Sequence, residues 1–105
     1  MAQNLNTKRP EECTNISEVR HEIDLIDQEI IRLLSTRFGY VREVVKYKDH
    51  TASSIEAKGR RDEVINTRRQ WAQEAGLDPD AIGDIYNRLV EYFIFEEKKL
   101  VGRYC

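Results

Sequence analysis

From Ile16 onward, apolar residues recur in alternating steps of four and three: Ile16, Val19, Ile23, Ile26, Ile30 and Leu33. That spacing is the seam of an α-helix packed on other helices. The next four-residue step lands on Arg37, after which Tyr40, Val44 and Tyr47 resume the pattern. One helix is therefore expected from about Ser17 to about Lys48, roughly 45 Å long. Thr14, Asn15 and Ser17 are available as caps, and Glu18 suits the positive end of the first turn. The polar stretch DHTASS (49–54) breaks the pattern and predicts a mobile connection. A second helix follows from about Glu56 to Ala75, with Val64, Ile65, Trp71 and Ala72 as its apolar contribution and Gly76 as its stop. Asp78-Pro79-Asp80 is a start signal, an acidic cap followed by proline in the first turn. The third helix carries Ile82, Ile85, Tyr86, Leu89, Val90, Phe93, Ile94, Leu100 and Val101, and ends near Tyr104. No strand signal competes.

The predicted fold class is thus all-α, three helices with a very long first helix. Residues 1–14 read as an N-terminal arm and 15–105 as a single helical domain. The first helix is longer than either of the others and apolar along most of its length. One copy alone would leave part of that stripe in water, so an intertwined two-fold homodimer is expected.

Composition narrows the function. The 105 residues are 40% hydrophobic and 34% charged, with five Gly and two Pro, which favours helices with solvated outer faces. A net charge of −2 argues against nucleic acid as the main partner. The polar beginning MAQNLNTKRPEEC carries no apolar run, so neither a secretory signal nor a membrane span is expected, and the default compartment is the cytoplasm. Cys13 and Cys105 read as free thiols. His21 and His50 have no partners at metal-ligand spacing, so no metal is expected. Ser/His/Asp and Cys/His sets, a phosphate-cradling Gly-rich loop and a catalytic carboxylate pair are likewise missing. Chemistry here would work by positioning an anion and stabilising charge.

Polar residues on the apolar stripes are the candidates for that work. Arg37 occupies a seam position, where an unpaired cation is costly and something anionic should meet it. Arg20 lies beside Val19 and Ile23, and Lys48 one turn past Val44. Glu97 follows Phe93 by one turn on the third helix, inside the stripe. Arg60, Arg61, Arg68 and Arg69 read mostly as a solvated face, and Trp71 as core. A buried Arg37–Glu97 pair would satisfy both residues without a ligand, as in a catalytically silent dimerisation or regulatory module. Yet the cations outnumber that one Glu. A surplus of guanidinium groups in a helical core suits a small multi-carboxylate anion, which Arg grips in bidentate fashion.

This ordered set resembles the all-helical chorismate mutases across about residues 10 to 101. PEECT (10–14), VRHEIDLIDQEI (19–30) and QWAQEAGLD (70–78) are most similar to the isochorismate pyruvate lyases of salicylate biosynthesis. The resemblance implies intertwined dimers with two shared sites and no metal or organic cofactor. It implies that Arg37 clamps a substrate carboxylate, that Arg20 reaches into the partner subunit's site and that Arg60 holds the ring-side carboxylate, with Arg61 next to it as a rival for that place. Lys48 and Glu97 would face the ether oxygen of the breaking C–O bond. Lys48→Ala should then lower turnover more than binding, and Arg37→Ala should damage both. Mutases of this family usually carry an acid three positions before the loop arginine and Glu directly after it; here those positions are Ala57 and Arg61. Both departures favour the lyase, which also carries mutase activity in the same site, over a dedicated chorismate mutase of aromatic amino acid biosynthesis.

Overall fold

Helix α1 begins directly after a bend at Asn15. The Asn15 side-chain oxygen accepts from the Glu18 amide at 2.9 Å, and the Asn15 carbonyl takes the Val19 amide at 3.3 Å. Glu18 returns the favour one residue further out, accepting from the Thr14 amide at 2.9 Å and its hydroxyl at 3.1 Å. The amides left over at a helix start are thereby satisfied in pairs. The computed structural model describes residues 8–47 and 58–104. Within them lie a short 3-10 turn (Pro10–Glu12), α1 (Ile16–Val45), α2 (Lys58–Glu74) and α3 (Pro79–Tyr104). No strand occurs among the described residues.

The chain divides into two compact units, Met1–Gly39 and Tyr40–Cys105, with α1 running from the first into the second. In the first unit the arm is tied to α1. The Lys8 amide donates to Glu22 at 2.9 Å and the Lys8 ammonium lies 3.3 Å from Glu18. The C-terminal end of α1 comes slightly earlier than its apolar pattern implies. The Lys46 and Tyr47 amides close three-residue turns on Glu43 and Val44, at 3.1 and 2.9 Å, which tightens the chain out of the helix. Lys48, the connection 49–54 and Ala57 lie outside the described residues.

In the second unit α2 and α3 pair as an antiparallel hairpin. Gly76, at φ 82°, lets the chain reverse: its amide bonds the Gln73 carbonyl at 3.1 Å and the Leu77 amide bonds Ala72 at 2.8 Å. Asp78 then caps α3, accepting from the Asp80 amide at 3.0 Å, with Pro79 as the first helical residue. Two side-chain links set the register. Arg69 donates to Asp80 at 2.7 Å and, at 3.5 Å, to the Pro79 carbonyl. Two turns earlier on α2, Arg61 donates to Asn87 at 2.8 Å and to Glu91 at 3.3 Å. Gly83 is buried under Arg69; a β-carbon there would meet the Arg69 side chain at 3.0–3.1 Å. Among the described residues, the buried apolar side chains of this unit are Val45, Val64, Ala72, Val90 and Phe93.

Candidate functional site

The residues singled out by pattern fall into two groups. Arg20 and Arg37 belong to α1 in the first unit. Arg20 is exposed; Arg37 is half-buried and engaged with other groups. Seventeen residues of helix separate them, about 26 Å. One molecule of chorismate size cannot touch both on the same helix. The apolar seam they interrupt is open in the single chain, from Ile16 at 62% exposure to Val19 and Ile26 at 41%.

Arg60 and Glu97 belong to the α2–α3 hairpin. Glu97 follows Val90 and Phe93 by two helical steps and one, and shares their burial, with 7% of its surface exposed. Glu97 is engaged with other groups. It lies six residues beyond Glu91, about 9 Å along α3, so it is level with or past the start of α2. Arg60 is in the first turn of α2, at the same open end of the hairpin. Its side chain is 64% exposed and, among the described residues, its guanidinium bonds Glu63 on its own helix at 2.6 Å. Lys48, expected at the ether oxygen, lies outside the described residues.

The neighbouring arginines differ from the solvated face that their sequence suggested. Arg61 is 28% exposed and bonded across to α3. Arg69 is tied to the start of α3. Arg68 turns inward, its Nη1 on the Thr67 hydroxyl at 3.0 Å and its guanidinium carbon 4.6 Å from the Trp71 ring and 5.6 Å from the Tyr86 ring. Its Nε is buried with no hydrogen-bond partner. Trp71 is 55% exposed, so it forms the outer cover of an arginine and not core. The missed signal was periodic: stepping from Val64 and Ala72 in threes and fours lands on Arg61 and Arg68.

Two carboxylates away from the hairpin titrate low. The Thr14 amide, the Lys8 side chain and the Thr14 hydroxyl hold the Glu18 carboxyl below its ordinary value. The Arg32 guanidinium does the same for Glu29, which in turn raises Arg32. Among the described residues no group of three or more His, Cys, Asp or Glu could hold a metal ion, and no helix is long and apolar enough to cross a membrane. Cys13 is a free thiol.

Residues 19–98 match the chorismate mutase type II family. The isochorismate pyruvate lyase of Pseudomonas aeruginosa is 33% identical over 92 residues, which cover 88% of this chain and 90% of that protein. The T-protein of Haemophilus influenzae is 33% identical over 75 residues, covering 71% of this chain and 20% of that protein. The T-protein of Enterobacter agglomerans is 29% identical over 91 residues, 86% of this chain and 24% of that protein.

Proposed function

The chain belongs to the chorismate mutase type II family, enzymes of the isomerase or lyase type, and on that premise we propose that it is an isochorismate pyruvate lyase with chorismate mutase activity in the same site. The observation that carries the proposal is the buried carboxyl of Glu97 at the cationic open end of the α2–α3 hairpin. Similarity to the Pseudomonas lyase over nearly its whole length supports the lyase side, as do Ala57 and Arg61 where mutases usually carry acids.

In this reading two copies form an intertwined homodimer. The span of about 26 Å between Arg20 and Arg37 supports it, because only a second copy can bring an Arg20 to an Arg37 site. Arg37, Arg60 and the partner's Arg20 hold the two carboxylates of the substrate and freeze an extended dianion into a folded, reactive conformer. Lys48 and Glu97 then stabilise charge growing on the ether oxygen as the C–O bond breaks. With isochorismate, a ring hydrogen passes to the enolpyruvyl methylene carbon, pyruvate leaves and the ring becomes salicylate. With chorismate, the enolpyruvyl group migrates and prephenate forms. No metal or organic cofactor takes part in either step.

One NMR time course tests this. Purified protein is added to a mixture of chorismate and isochorismate and compared with Arg37→Ala. Salicylate and pyruvate appear first, prephenate follows slowly, and the variant forms neither. Prephenate alone would make the chain a dedicated mutase. Consumption of neither substrate would leave a silent helical dimer.

A further inference from the structure

Arg61 stands where the family pattern places an acid, and the α2–α3 hairpin gives it partners of its own. The first turn of α2 contains Lys58, Arg60 and Arg61 and no acidic residue. Cations at the positive end of a helix dipole destabilise that turn, and its first amides have no intrahelical acceptors. A tertiary link compensates. Arg61 Nη2 donates to Asn87 Oδ1 at 2.8 Å and to Glu91 Oε2 at 3.3 Å, while the second Glu91 oxygen lies 3.8 Å from Arg88. The adjacent Arg60 points a different way, outward, and among the described residues it holds Glu63 three residues on. An exposed pair of that kind is weak, so a substrate carboxylate can take the guanidinium from Glu63.

We propose that Arg61 is a positioning residue: by tying the first turn of α2 to Asn87 and Glu91 it holds Arg60 where it meets a carboxylate of the substrate. The inference rests on the site reading above. A carboxylate clamp acts in the ground state and the transition state alike, so loosening it raises KM and spares kcat.

The experiment measures steady-state turnover of isochorismate by Arg61→Met, Arg61→Lys, Arg60→Met and the double variant Arg60→Met/Arg61→Met, with helix content checked by circular dichroism. Arg61→Met raises KM about tenfold and leaves kcat within about a factor of two, the loss of one charge-assisted contact. Arg61→Lys recovers most of that loss, since its single ammonium reaches the same oxygens. In the Arg60→Met background Arg61→Met adds nothing, because the residue acts through Arg60. If Arg61→Met loses helix, Asn87→Ala/Glu91→Gln breaks the link from α3 and reproduces the KM rise. Equal KM rises with and without Arg60, or no rise at all, overturn the positioning role and leave the site reading standing. An Arg60→Met enzyme with unchanged KM overturns both. Wild-type protein that leaves isochorismate unconsumed removes the proposed function itself.

Discussion

Glu97 is the charged side chain that the core of the second unit takes in among the described residues. Burying a carboxyl among Val90 and Phe93 is costly unless it is bonded, and here it is engaged. Its proposed task is to face an ether oxygen, to which only a protonated carboxyl can donate. Glu97→Gln keeps a donor of similar size and should retain kcat within about tenfold, whereas Glu97→Leu, which offers none, should lower kcat by about a hundredfold or more in steady-state assays. A fully active Glu97→Leu would remove Glu97 from that role. Its place inside the stripe was legible in the sequence, because the helical step from Phe93 leads straight to it. The inward turn of Arg68 was also written in the periodicity, although Trp71, being apolar, is the residue expected in the core. What reverses the two is local chemistry: a guanidinium stacked between Trp71 and Tyr86 keeps its charge over aromatic faces while the indole covers it from water.

At the scale of the elements, the ends of the helices were the most legible features. Asn15, Gly76 and Asp78-Pro79 act through bonds within a few residues, so sequence neighbours suffice to identify them. The start of α1 has a pH dependence that follows from Glu18. Its folded value is held below the ordinary carboxylate value, chiefly by the Thr14 amide. The folded state therefore gains stability that is complete above the ordinary value, about 4.3, and disappears as pH falls through the lowered folded value. An NMR titration should give Glu18 a midpoint below that of an unstructured peptide, and Thr14→Pro, which removes the amide donor, should move it back up. The register of α2 on α3 was not legible. It depends on Arg61 meeting Asn87 and Glu91, and Arg69 meeting Asp80, residues 11 to 30 positions apart whose pairing no local pattern encodes. Gly83 belongs to the same contact. Without a β-carbon it leaves room for the Arg69 side chain that reaches Asp80.

For the whole molecule the open question of the single chain is its seam. Six apolar side chains from Ile16 to Leu33 stay between 41% and 62% exposed along α1. A second copy covers them in the proposed dimer and delivers the partner's Arg20. Ile26→Glu should then give a monomer by light scattering. It should also lower kcat/KM by about ten- to hundredfold, the loss of one charged carboxylate contact. A monomeric variant of full activity would show that each chain holds its own complete site. The sequence by itself determined the three helices, the start of the first, the stop of the second and the start of the third, the family and the polar residues on apolar stripes. All of these follow from periodicity and short-range bonding, which linear spacing records. The tertiary structure alone decided that Arg61 meets Asn87 and Glu91 and Arg69 meets Asp80, that Trp71 stays at the surface, and that Glu97 shares the open end of the hairpin with Arg60. Those outcomes depend on how two helices slide past each other, and that register is set by side-chain contacts distant in the chain.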